Sequence, residues 1–520
     1  MRKLFLPLLP VILLLLVHTF IRTHDIDAQL PYIDEGIHAE RGTIVWDFNQ
    51  NPGRLSAGKL LLYYWLGLFE SSGLAYLHTA RLAIALLSIV TGAVVFRLAT
   101  IFGGYVVGIL ALGLYAFFPY AVFFERMALA EGMVAMLVGL VAWRSWLFAR
   151  RPTLREGGVL GVLLGLATLT KLTAGLVPLL PALAALVYWR PSEMNPVRFV
   201  RLYAPPLVLA AAIVLLMWAP LAIPAELSQD SNDPFTLVDD DNRRTWSDLS
   251  VFEYLRRLSG EIVDFVALPA IIGVWCLVGV MFGPGWQAGR EDSLPRDLLF
   301  LIAWLVLTGA LTVLTALLVT SRYFMPLSVP FVILMAVIWG RMWYAGAYPL
   351  LWRGAALVAL GVWFLGFAMP HTFMTITEPR ELPFDNTNHT EYQNGVLIGE
   401  SAARTAAETV NAADPAITAI YGTWEICYQM YFYLTREVEC LERVVTYGSW
   451  ANRLRSDLRE PDDQIYLVNS AYSDEFFSSV PGHQGRLVGQ YVRDMPFHRD
   501  IRIWAISQYD GSADIPIPGR

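Results

Sequence analysis

Asp34 and Glu35 stand side by side in Tyr32-Ile33-Asp34-Glu35-Gly36-Ile37-His38-Ala39-Glu40, with a third acid, Glu40, in the same stretch. A carboxylate near a membrane surface and near other acids can have its proton affinity tuned, and it can take a proton from an attacking hydroxyl or amine. An arbitrary Asp-Glu pair is more often a solvated loop acid, but Ile33, Gly36 and Ile37 flank this one tightly. Further on, Gly58-Lys59-Leu60-Leu61-Leu62-Tyr63-Tyr64-Trp65 sets one cation ahead of an apolar, aromatic run. Lys59 with Tyr63 and Tyr64 suits a ligand that carries a phosphate on an apolar body. His38 could hold a divalent metal with Asp34 or Glu35, although a lone loop histidine is more often simply polar.

Three further ionisable residues sit where apolar runs end. Glu131, in Phe124-Glu125-Arg126-Met127-Ala128-Leu129-Ala130-Glu131-Gly132, enters the apolar region, where a charge is costly and faces a cavity or a partner. It is either a site acid or the structural ion-pair partner of Arg126. Lys171 stands between two apolar runs, and Arg322-Tyr323 precedes Pro326 at the edge of another. Cations flanking helices often only snorkel to headgroups. Other cations of the apolar portion gather on the opposite side, so Lys59, Lys171 and Arg322 suggest an anionic ligand. Arg suits two-pronged phosphate contacts and Lys supplies a point charge.

The elements that must position these residues are transmembrane helices. Hydrophobic residues make up 56% of the 520, charged residues only 16%, and the mean hydropathy is +0.47. A soluble chain is nearer a quarter charged. The net charge of -7 is spread over loops and tail without a basic stripe, which argues against nucleic acid. Met1-Arg2-Lys3 precedes an apolar run to Phe20 that reads as an uncleaved first span rather than a signal peptide, since no small-residue cleavage site follows. Spans of bilayer length begin near Leu77, Tyr105, Leu129, Gly157, Gly175, Leu202, Ile262, Leu298, Tyr323 and Ala355, about eleven in all. Arg-rich loops fall on the side of the amino terminus and acid-rich loops, including Asp239-Asp240-Asp241, on the other. This expects a multi-pass protein of the cell membrane with a cytoplasmic amino terminus. Residues 1–370 form the membrane domain, with a first outer loop at 22–76. Residues 371–520 form an extracytoplasmic soluble α/β domain, with strands at Ala416–Tyr421, Gln464–Val468 and Ile501–Ile506 and a helix at Ala402–Ala412. Cys427 and Cys440 would share an oxidising compartment and could pair; Cys276 lies in an apolar run.

These residues resemble the membrane-embedded glycosyltransferases of the GT-C fold that use polyprenyl-phosphate sugars, in particular the protein O-mannosyltransferase and aminoarabinose transferase superfamily. That family carries Asp-Glu, an aromatic, Ala and Glu in its first outer loop; here His38 replaces the aromatic. It then shows Lys-Pro-Pro-Leu before Tyr-Trp; here Lys59 and the aromatics remain and both prolines are replaced. Glu131 stands for an Asp after an Arg-containing turn, and Lys171, Arg322, Tyr323 and Pro326 follow in order. The resemblance covers about Met1 to Pro370. It implies an inverting transfer of a monosaccharide from a polyprenyl-phosphate donor, entering from the bilayer, to a protein, lipid or glycan acceptor. In it Asp34 is the base, Glu35 and Glu131 position the reactants, and Lys59, Lys171 and Arg322, with Tyr323, Tyr63 and Tyr64, hold the phosphate. No cofactor beyond a divalent metal is implied. The alternatives are a secondary transporter or a flippase-like protein, which would show matching halves and broken helices around midplane charges, and a sensory module for which the membrane part is an anchor.

Overall fold

Apolar runs fold as helices because a backbone without water partners must satisfy its own N–H and C=O groups. The computed structural model describes residues 8–46, 59–171, 174–175, 177–192, 194–227, 294–315, 321–344, 350–383, 392, 400–441, 456–458, 463–470, 483–491 and 500–508. The first helices are α1 Leu9–Thr23, α2 Ile33–Ile44, α3 Leu60–Gly67, α4 Gly73–Gly103, α5 Tyr105–Ala116, α6 Pro119–Glu125 and α7 Ala130–Arg150. There follow α8 Leu154–Thr170, α9 Leu179–Tyr188, α10 Pro196–Leu227, α11 Leu294–Thr315, α12 Ser328–Tyr344, α13 Leu350–Trp363 and α14 Met369–Thr377. A 3₁₀ segment, Ser321–Leu327, precedes α12. Among the described residues six stretches are long and apolar enough to cross a membrane, and the pair α5–α6, bent by 59°, would make a seventh. The chain is a multi-pass membrane protein. The span expected at Ile262, the acidic run Asp239–Asp241 and Cys276 lie outside the described residues.

Contacts divide the chain into two compact units. The first holds Met1–Ala28, Arg41–Phe69 and Ala80–Asp385; the second holds Gln29–Glu40, Glu70–Thr79 and Asn386–Arg520. In the first unit α8 packs on α7 and α10. Its glycines explain the closeness to α10: a Cβ at Gly157 would stand 2.3 Å from the Pro206 carbonyl oxygen, and one at Gly161 2.9 Å from Ala210. Small residues four apart let two helix backbones approach where lipid supplies no hydrophobic drive. The result fixes α8, and with it the residue at its end, Lys171.

A buried polar lattice ties α1 to the α5–α6–α7 corner. Arg22 meets Glu125 at 2.5 Å (Nε to Oε2), both fully buried, and Tyr115 donates to the other Glu125 oxygen at 2.6 Å. Arg22 also donates to the carbonyls of Tyr115 and Ala116. Arg126 donates to the carbonyls of Ile21, His24 and Asp25 at 2.9, 2.7 and 2.6 Å. The last carbonyls of a helix lack intrahelical partners and carry partial negative charge, so a cation there is doubly favoured. The corner that leads into α7 is thereby held against the end of α1.

In the second unit, α15 Glu400–Asn411 and α16 Trp424–Met430 accompany five strands: β1 Ala419–Gly422, β2 Glu439–Cys440, β3 Gln464–Ser470, β4 His483–Tyr491 and β5 Ile501–Gln508. The sheet order is β2-β1-β3-β5-β4. β1 runs parallel to β2 and β3, while β5 is antiparallel to β3 and β4. Period-two alternation sets its faces: Ile465 and Leu467 pack with Tyr421, Leu441 and Leu458. Tyr466 and Val468 instead join Ala402, Ala406 and Val410 of α15. The disulfide between Cys427 and Cys440 is formed, with Cα atoms 5.5 Å apart.

Candidate anion site and carboxylate helix

Four ionisable residues from distant parts of the first unit converge. Glu131 is the second residue of α7, where a carboxylate complements the helix dipole. Lys171 caps the C-terminal end of α8 in extended conformation, where a cation does the same. The Lys171 ammonium donates to Glu131 Oε1, and Arg322 Nε lies 4.0 Å from the same oxygen. Lys59 is within electrostatic reach of Glu131. Tyr323 completes the group: Lys171 Nζ sits 3.9 Å from its ring centroid and the Arg322 guanidinium 5.2 Å.

Glu131, Lys171 and Arg322 are all buried. Three cations gather around one carboxylate in a setting where water screens little. Lys59 adds a local sign of function. It caps the N-terminal end of α3, the end where a helix disfavours a cation, and residues that break a local rule concentrate at functional sites. The segment bearing Arg322 is itself held: Tyr120 of α6 donates to the Ser321 carbonyl oxygen. The corner that Arg22 and Arg126 fix therefore reaches both Glu131 and Arg322.

Sequence left Glu131 as a site acid or as the partner of Arg126. The structure gives it Lys171 and Arg322, and spends Arg126 on the carbonyls at the end of α1. Tyr63 is buried and accepts a hydrogen bond from Arg41 at 3.1 Å, the guanidinium also lying 5.8 Å from its ring. Tyr64 stands elsewhere, edge-on to Trp46, with its carbonyl bonded by the Trp46 indole. Arg41 was not singled out in the sequence; the only signal was its place seven residues, about two turns, after Asp34. Arg22 and Glu125 were likewise missed, because opposite charges 103 positions apart give no local pattern.

The carboxylate pair belongs to the second unit, in the first turn of α2. Asp34 is partly exposed and Glu35 fully buried. Glu35 Oε2 accepts the Tyr32 N–H at 2.9 Å, closing the start of the helix. The two acids therefore differ in exposure: Glu35 is enclosed and holds backbone, while Asp34 keeps access to solvent. His38, one turn on, is buried. Among the described residues no three His, Cys, Asp or Glu side chains gather where a metal could sit.

The fold is shared with known structures. Crystal structures of ArnT, the aminoarabinose transferase of Cupriavidus metallidurans, align in the apo state with a TM-score of 0.61 and 15% identity over 97% of this chain and 98% of that one. Its complex with undecaprenyl phosphate gives 0.59 and 15% over 95% and 97%. The Archaeoglobus fulgidus oligosaccharyltransferase, tethered to an acceptor peptide containing the NVT sequon, gives 0.50 and 10% over 95% and 74%. These structures have the GT-C fold of glycosyltransferases, and this chain has it too. No protein-family model matches the sequence, and no curated protein matches it.

Proposed function

We propose that this chain is a membrane glycosyltransferase that moves a monosaccharide from a polyprenyl-phosphate donor to a protein, lipid or glycan acceptor, with inversion. The observation that carries this is the convergence of buried Lys171 and Arg322, with half-buried Lys59 in electrostatic reach, around Glu131. A cluster of cations at the ends of membrane helices suits a phosphate whose tail stays in lipid. The ArnT structure with undecaprenyl phosphate supports a donor of this class, and the peptide-tethered oligosaccharyltransferase supports an acceptor brought from outside the bilayer. The likeness of the fold to ArnT supports transfer over transport.

In the reaction, the acceptor heteroatom attacks the anomeric carbon opposite the phosphate. Its bond to the sugar forms while the anomeric C–O bond breaks. Asp34 takes the acceptor's proton, and the polyprenyl phosphate leaves with the bonding pair. Charge grows on the phosphate oxygens in the transition state, and fixed cations in a dry site stabilise it there most effectively. Glu35 holds the turn that carries Asp34. Glu131 keeps Lys171 and Arg322 in place and limits the net charge before the donor enters.

Arg322→Ala is expected to weaken undecaprenyl-phosphate binding about 10–10²-fold, the range for losing hydrogen bonds to a charged group. Arg322→Lys, which keeps the charge and loses the planar fork, should cost less. At Lys59 and Lys171, replacement by Arg should cost less than replacement by Ala. Binding to the purified protein checks this, and tolerance of Ala at all three positions would remove the phosphate site. The same reading sets a cytoplasmic amino terminus and an extracytoplasmic soluble unit. Cysteine introduced at Ser456 should react with an impermeant maleimide in intact cells, and one at Ser192 only after lysis; the reverse pattern would invert the topology.

A further inference from the structure

The acid-bearing turns of α2 are seated on main chain. Within the second unit, a Cβ added at Gly36 would stand 2.1 Å from the Tyr428 carbonyl oxygen and 3.0 Å from its carbonyl carbon. The obstacle is backbone, which cannot swing aside as a flexible side chain would. Helix and segment thus meet backbone to backbone, one residue after Glu35 and one residue after Cys427. Around this point Tyr32, Ile33 and Ile37 are buried. The Tyr32 ring lies 5.4 Å from that of Tyr392, and Tyr76 donates to the Ala39 carbonyl at 3.2 Å. The far side of the seat is covalent. Cys427 of α16 is bonded to Cys440 of β2, and β2 pairs with β1 at the edge of the sheet. None of these groups has a chemical role in the transfer described above.

We propose that the disulfide-stapled segment Trp424–Cys440 is the seat that positions Asp34, with Gly36 and the Cys427–Cys440 bond as its positioning elements. Turnover then depends on the oxidised state of the soluble unit. The inference rests on Asp34 being the base, and it gives the soluble unit a part in the reaction. Gly36 is the residue that permits the fit: in an unobstructed helix, alanine there would favour the helix, whereas here it must push α2 off its seat. Displacing a reacting group by about 1 Å can cost on the order of 10²-fold in rate.

The test uses the full-length protein in detergent, with a panel of undecaprenyl-phosphate hexoses and pentoses as donors. Asp34→Asn is measured beside it, and Gly361→Ala, whose Cβ meets nothing within 4 Å, serves as the control. Gly36→Ala should lower kcat about 10–10²-fold while leaving the Kd for undecaprenyl phosphate within about twofold. Hydrogen exchange should quicken in residues 29–40. Dithiothreitol, which converts the disulfide to two thiols and is itself oxidised to a cyclic disulfide, should do the same to the wild-type protein, and reoxidation should restore the rate. This second arm stands even where Gly36→Ala fails to fold. Full turnover in both altered forms, with Asp34→Asn inactive, would overturn the seat and leave the base standing. Full turnover in Asp34→Asn would overturn the base and the catalytic meaning of the seat together. Loss of donor binding in step with kcat would also sink the proposal, since that is what a merely structural disulfide would give.

Discussion

Asp34→Asn is expected to lower turnover by about 10²–10⁴-fold, the contribution of a general base, with donor affinity unchanged. Asparagine keeps the shape of the side chain and removes its capacity to accept a proton. Asp34 is the carboxylate of the pair with access to solvent, and so to an acceptor. Glu35→Gln should be milder, because an amide oxygen can still accept the Tyr32 N–H that Glu35 holds at 2.9 Å. Turnover with purified protein and a polyprenyl-phosphate sugar, alongside undecaprenyl-phosphate binding, separates the two. Near-normal turnover in Asp34→Asn with loss only in Glu35→Gln would exchange their roles. Normal turnover in both would take α2 out of the chemistry.

Glu131→Gln should destabilise the membrane unit by about 3–5 kcal/mol, the usual cost of stripping one partner from a buried ion pair. Lys171 and Arg322 would then face each other buried, with their shared carboxylate gone. The variant should also respond more strongly than wild type to undecaprenyl phosphate, because an anion that binds only the folded form raises its stability by mass action and would here replace the missing charge. Thermal unfolding in detergent, with and without the lipid phosphate, reads both effects. A variant that melts as wild type does would show that the carboxylate does not balance the cations. An unaltered response to the lipid phosphate would show that the anion does not enter this cluster.

By itself the sequence located many of the helices and strands and the order of the candidate residues. It read 22–76 as a loop where the chain forms α2 and α3, because these short helices carry charged and aromatic residues rather than an apolar run of bilayer length. Apolar runs predicted helices beginning near Tyr105, Leu129 and Ala355, and helices stand there. Alternation at Gln464–Val468 and Ile501–Ile506 predicted β3 and β5, which pair as neighbours. Such patterns are local: a helix face or a strand face is written in residues two to four apart. The pairing of Cys427 with Cys440 was legible for a different reason, since the tail has no other cysteine. Partner choice was not legible. Burial demands a counter-charge for Glu131 but leaves its identity open, and the structure chose Lys171, 40 residues on, over Arg126, five residues away. That choice follows from α8 packing against α7, which brings its end to Glu131, and from Arg126 being drawn to the open carbonyls at the end of α1. Gly36 shows the same limit. In the sequence it is a glycine in a stretch read as loop, where glycine is ordinary; only the Tyr428 carbonyl lying where its side chain would be makes it a requirement.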